Sequence, residues 1–249
     1  MRAARRAGSL SARRAPGGGE GKKVVRLIRL SVRFVLLLLD DYSGANTAGG
    51  GHLFVVDGRA AHPVRKPEGC YVFTGPPGRE AVVQILSASY CTRTIRVPPY
   101  SGQVCTVRLF RRPKTSFSDC DWADGVLRPG LLAVGLIGDS APPRLREIGA
   151  SPPSLRLQGY YPQSLRGLCL CIGSGAGREL LMLGEKREDG SYVLASPPRF
   201  EHHAGEALLR AGCAPCDAQG HYSIPVPPGT APAQLTVLGY DEEAQRWEC

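Results

Sequence analysis

The sequence predicts an all-β protein made of two small sandwich- or barrel-type domains. Three observations carry this. The 249 residues include 31 glycines and 21 prolines, which leave little room for long helices. Apolar residues alternate with polar ones in short runs, and turn signals separate these runs about every 8–12 residues. One phrase is also written twice: "GCYVFTGPPG" from Gly69 and "GHYSIPVPPG" from Gly220 both read Gly-x-Tyr, four residues, Pro-Pro-Gly.

The elements follow in chain order. Ile28, Leu30, Val32 and Phe34 alternate with Arg29, Ser31 and Arg33, the period of a strand with one buried face. Leu36 to Leu39 continue it with apolar residues on both faces, as in a central strand. "DDYSG" turns the chain, "HLFVVDG" is a second strand ending at Asp57-Gly58, and "HPVRKPEG" is extended and polar. "CYVFT" is a third strand, "GPPG" a turn and "EAVVQILSA" a fourth strand. Either "TRTIRVP" or "QVCTVRLF" closes the unit. Gly69, Gly78 and Gly229 are expected to take φ > 0 in their turns. Tyr71 and Tyr222 are expected to be partly buried, packing with Tyr90 and Tyr240.

Residues 113–157 read as a proline-rich connecting segment. "RRPKTSFSDCDWADG" is a linker anchored by Trp122, "LLAVGLIG" is a buried strand, and "SAPPRLREIGASPPSLRLQGYYP" is loop with short extended pieces. A second β domain spans 158–249. The divisions are therefore 1–23, 24–112, 113–157 and 158–249.

Net charge is +9, but residues 1–23 hold seven of the 31 basic residues and one of the 22 acids, so +6 sits in this tail and +3 in the rest. The folded part has no basic stripe with interleaved aromatics, so nucleic acid is not expected as a partner, beyond weak contact of a disordered tail with polyanions. "GGGEGKK" is what a translated ribosome-binding site would give, which places the expected natural start near Val24 or Val25. No stretch approaches membrane-spanning length, and "FVLLLL" is too short for an export signal. With an odd number of cysteines, nine, the expectation is free thiols in the cytoplasm. Cys169 and Cys171 should share one buried strand face.

The candidate chemistry is sparse. "CAPC" offers Cys213 and Cys216, with His203 and His221 (and His202) as the nearest further metal ligands, but a lone Cys-x-x-Cys fits incidental turn cysteines better. "GSGAGRE" lacks the Lys-Ser/Thr of a phosphate loop and reads as a hairpin or bulge. "HHAG" reads as a turn, with no nucleophile in a recognisable elbow. Asp40, Asp41 and Asp57 read as turn formers rather than a calcium site, and Asp119, Asp121 and Asp124 are too few for one. Tyr160, Tyr161, Trp122 and Trp247 form no evident sugar platform. No catalytic residue, cofactor or metal is expected.

Two resemblances add to this. Asp41, Ser43, Gly44, Gly69, Tyr71, Phe73, Pro76, Pro77, Gly78 and Tyr90 resemble the pattern of carboxypeptidase regulatory-like domains, which are transthyretin-like, Ig-related β-sandwiches. The match covers roughly 24–112, and its closing half recurs at the C-terminus. Ile172, Gly173, Glu179, Tyr192, Leu194, Pro198, His202, His203 and Gly205 resemble a small β module of tail-fibre, surface and carbohydrate-associated proteins. Together they imply a non-catalytic structural or adaptor protein that makes protein–protein contacts in a larger assembly, such as a phage-tail-like or contractile-injection particle. The alternative is a carbohydrate- or surface-binding accessory protein.

Overall fold

The computed structural model describes residues 31–47, 51–76, 78–115, 117–139, 141–159 and 165–248. The basic tail, the strand start at Ile28 and Leu30, Tyr160 and Tyr161 lie outside the described residues. Apart from two short 3-10 turns, every regular element is a strand, as the composition predicts.

The first half is an eight-stranded sandwich. Its strands are β1 (Val32–Asp40), β2 (His52–Val56), β3 (Arg59–Ala61), β4 (Val64–Arg65), β5 (Cys70–Thr74), β6 (Ala81–Ser87), β7 (Arg93–Val97) and β8 (Cys105–Leu109). One sheet has the order β4-β5-β1-β8, the other β3-β2-β6-β7. The alternation in the sequence does the sorting. Phe34, Leu36 and Leu38 of β1, Tyr71 and Phe73 of β5, Phe54 and Val56 of β2, and Ala81, Val83 and Ile85 of β6 all point inward and form one core. Both proposed closing strands are used: β7 joins β6, and β8 lies parallel to β1, which is thereby the central strand expected from its two-faced apolar run.

The chain then continues through β9 (Asp121–Val126), β10 (Leu132–Ile137), β11 (Arg144–Ala150), β12 (Pro153–Gln158), β13 (Cys169–Ile172), β14 (Glu179–Lys186), β15 (Tyr192–Leu194), β16 (Leu209–Pro215), β17 (His221–Val226), β18 (Leu235–Asp241) and β19 (Arg246–Glu248). Nine of these form a sheet in the order β11-β12-β15-β14-β13-β16-β10-β18-β19, and β17 pairs with β9 in a separate ribbon. This corrects the reading of 113–157 as a connecting segment, because it contributes four strands. Its prolines sit at strand ends and turns, where the missing N–H costs no ladder bond, so they mark boundaries rather than absence of structure. From Ser31 onward the chain clusters as one compact unit, with no linker between the halves.

The repeated phrase is the visible trace of a larger repeat. β1 is antiparallel to β5, β2 to β3 and β6, and β6 to β7. In the second half β9 is antiparallel to β17, β10 to β16 and β18, and β18 to β19. The order β16-β10-β18-β19 thus repeats β3-β2-β6-β7, and the ribbon β17-β9 repeats β5-β1. Between β10 and β16, residues 138–208 form an insertion whose strands β11 to β15 widen the large sheet and enclose their own core around Leu155, Leu183 and Tyr192. In both copies the chain passes from one sheet to the facing sheet after this strand, between β5 and β6 and between β17 and β18. Gly69, Gly78 and Gly229 take the expected conformations, with φ 84°, 116° and 77°, and Gly220 shares them at 87°. Tyr71 is fully buried and Tyr222 half-buried.

Candidate functional site

The densest polar cluster lies where β1 ends. Asp40 Oδ1 accepts the backbone N–H groups of Tyr42 and Ser43, both at 2.9 Å, which makes the "DDYSG" turn. Its other oxygen, Oδ2, accepts from Tyr90 Oη at 2.9 Å and Arg111 Nε at 2.9 Å. Arg111 also donates to both oxygens of Asp119, at 2.5 and 2.9 Å. Its guanidinium lies between the rings of Tyr42 and Phe117, 4.5 and 4.2 Å from their centroids. Burial raises the Tyr90 pKa, and the Asp40 carboxylate raises it further. For Arg111 burial disfavours the charge, but the bonds from Asp119 and Asp40 outweigh it and the net shift is upward.

One strand-face away, β8 aims Arg108 at the second half. Arg108 pairs with the fully buried Asp41 and donates to Cys213 Sγ at 3.4 Å. Burial raises the Asp41 pKa although Arg108 opposes it. The neighbouring Cys169 thiol, and then burial, push the Cys213 thiol up. Arg210 reaches back to the Tyr42 carbonyl at 3.2 Å, and Arg93 holds Glu242 at 2.8 and 2.9 Å. The cluster therefore fastens the two sandwiches together.

A second cluster lies in the insertion. Glu179, first residue of β14, accepts the N–H groups of Arg199 and Phe200 at 3.0 and 3.2 Å. The His202 side chain, 2% exposed, has Nε2 2.7 Å from Glu179 Oε1 and Nδ1 3.0 Å from Glu206 Oε2. The His203 N–H lowers the Glu206 pKa, with smaller help from His202. His202 and Glu206 line a cleft of about 530 Å³ edged by Ser174, Arg178 and Glu201. In the wall, burial pushes the Cys171 thiol up to about 12. Both imidazole nitrogens are committed to carboxylates, so neither is presented to a nucleophile; the cluster holds the loop 197–207 onto the sheet.

No family model matches the chain, and no curated protein matches it. The site must therefore be read from its own residues.

The sequence candidates are spread apart. Cys213 and Cys216 are not turn cysteines but sit on β16 and just after it. An odd spacing of three puts them on opposite faces: Cys213 is buried beside Arg108, and Cys216 packs near Tyr222. His203 is exposed. The exposed His221 ring is 3.5 Å from Asp217, whose Oδ1 also accepts the His221 N–H. Among the described residues, no group of three or more His, Cys, Asp or Glu side chains converges to hold a metal. Asp57 accepts from Arg33 and the Val82 N–H, Asp121 accepts the Gly229 N–H, and Asp124 accepts from Ser223. "GSGAG" forms a 3-10 turn between β13 and β14. His202, read as a turn residue, is instead the buried bridge just described. Trp122 lies on β9, and Trp247 stacks on Tyr240 at 5.0 Å with its Nε1 donating to the Arg178 carbonyl, far along the chain. Cys169 and Cys171 do share one buried face of β13. Sequence reasoning missed Arg108 and Arg111. Their one signal is that they flank "LF" at the end of a strand that can reach the acidic pair Asp40-Asp41.

Proposed function

We propose that this chain is a non-catalytic structural or adaptor protein that mediates protein–protein contacts in a larger assembly, of the phage-tail-like or contractile-injection kind. The observation that carries this reading is the outer face of the β3-β2-β6-β7 sheet. Leu53, 69% exposed, stands opposite Leu86, and Val55 and the exposed Val82 continue the patch along the same face. Apolar side chains grouped on a flat sheet face mark an interaction surface more often than chance exposure. Asp40, Arg111 and Asp119 point the same way, because their hydrogen bonds go to neighbouring side chains and to backbone. The resemblance to regulatory-like sandwiches supports the reading by analogy of fold only.

The test is photo-crosslinking in the native cell from a reactive residue at position 53, with a control at position 188 in the insertion. Crosslinks from position 53 to tube, sheath or baseplate-like proteins are expected. Crosslinks from neither position, or the same products from both, would overturn the reading. The face also makes a direct prediction: Leu53→Asp leaves the melting temperature within about 2 °C, since a surface change costs within about 0.5 kcal/mol, and removes the crosslinked products.

A further inference from the structure

The two copies of the sandwich differ in one respect that bears on partners. In the first, β1 is covered on its outer edge by the parallel strand β8, with Leu36 beside Cys105 and Asp40 beside Leu109. In the second, β9 takes the place of β1 but, among the described residues, pairs with β17 alone, and no strand stands where β8 does. The hydrogen-bond phase fixes which groups face that edge. Leu127 N–H donates to the Gly220 carbonyl, so in this antiparallel register the bonded pairs continue at Gly125↔Tyr222, Ala123↔Ile224 and Asp121↔Val226. The N–H and C=O groups of Trp122, Asp124 and Val126 therefore point away from β17. Pro225, which has no N–H to give, falls in a non-bonded pair, as this phase requires. Among the described residues no strand covers this edge; Val126 is 63% exposed and Asp124 is exposed.

The core beneath is correspondingly underfilled. The first sandwich buries fourteen side chains fully, with four half-buried at its margin, and β8 supplies Val107 and Leu109 to it. The second buries four fully and leaves six half-buried, among them Ala123, Leu127, Leu235 and Val237. A strand on β9 would cover this margin as β8 covers the first.

We propose that the outer edge of β9 receives an extended strand from a partner protein, paired through Trp122, Asp124 and Val126 in the place that β8 takes on β1. The strand added to an exposed edge gains its ladder from backbone groups and its selectivity from alternate side chains. The occupant has Val- or Leu-sized residues at every second position, like Val107 and Leu109. A basic residue stands between them, like Arg108, to meet Asp124 on the outer face. A second copy offers its own β8 only by unfolding the first sandwich, and its β9 edge carries two acids and no base to meet Asp124, so the donor is a different protein. The proposal rests on the adaptor reading and gives it an edge and a partner class.

The probe is a peptide of the β8 sequence Val104–Arg111 carrying Cys105→Ser, with a scrambled peptide as control, added to the full chain. Saturable binding is expected by fluorescence anisotropy, with amide exchange slowed at least tenfold at Trp122, Asp124 and Val126. Asp124→Pro deletes one outward N–H at an edge that tolerates proline; it should weaken binding at least tenfold, with only a small fall in melting temperature from the lost Ser223 bond. Trp122→Pro is the second such variant. Protection on β1 instead of β9, equal binding of the scrambled peptide, no binding, or undiminished binding by both variants would overturn the proposal. Native crosslinks from position 53 without peptide binding would leave the adaptor reading standing and remove the edge. Peptide binding without crosslinks would do the reverse.

Discussion

Arg111 is the hub of the polar cluster at the end of β1. It joins Asp40, Asp119, Tyr42 and Phe117, and it is 3% exposed. Removing one partner of a buried pair leaves an uncompensated charge, so Arg111→Ala should lower stability by about 3–5 kcal/mol in urea denaturation. Asp119 adds an acid limb. Its pKa is lowered from 3.8, chiefly by the Arg111 bonds, so its contribution is present above about pH 4 and is lost as pH falls through the depressed folded value. Asp41 runs the other way. Its burial-raised pKa makes its contribution full below 3.8 and lost as pH rises through the higher folded value. Acid titration of Asp119→Asn should therefore show a shallower loss of stability below pH 4 than the unsubstituted protein. Gly229, at φ 77° with open space where a Cβ would stand, is a purely conformational requirement. Gly229→Val should cost at least about 1–2 kcal/mol, read as a lower melting temperature. That glycine was legible because the Pro-Pro-Gly turn dictates it locally. The role of Arg111 was not, because its partner Asp40 is 71 residues away and no local pattern links them.

At the scale of elements, the strands of the first half were legible because each alternates cleanly and ends at a turn residue. Residues 113–157 were not, since their prolines resemble linker composition although they bound the four strands β9 to β12. The loop 197–207 was recognised as a turn, yet its anchor was hidden. Glu179 opens β14 twenty residues before the amides that it caps. Glu179→Ala leaves those amides and His202 without their acceptor. Hydrogen exchange at Arg199 and Phe200 should quicken at least tenfold while the amides of β1 and β5 stay as slow as before.

At the scale of the molecule, the two sandwiches are joined by Arg108 to Cys213, Arg210 to Tyr42 and Arg93 to Glu242 rather than tethered by a linker. Calorimetry should show one cooperative transition, and Gly78→Val in the first sandwich and Gly229→Val in the second should each move that same transition. Two separable transitions would contradict the shared interface. The duplication was half legible: the sequence shows the closing strands twice, but the opening strands β9 and β10 share no residues with β1 and β2 that would reveal their kinship.

The place where the insertion leaves the second sandwich has its own consequence. Ile137 and Arg210 are paired across β10 and β16, so the chain departs and returns at neighbouring points of one ladder, where the first sandwich closes β2 to β3 with Asp57-Gly58 alone. Everything between is a cassette carried by this hairpin, its strand β13 laid against the end of β16. Grafting a different β module between β10 and β16 changes what the protein displays there, without altering the connectivity of the scaffold that displays it.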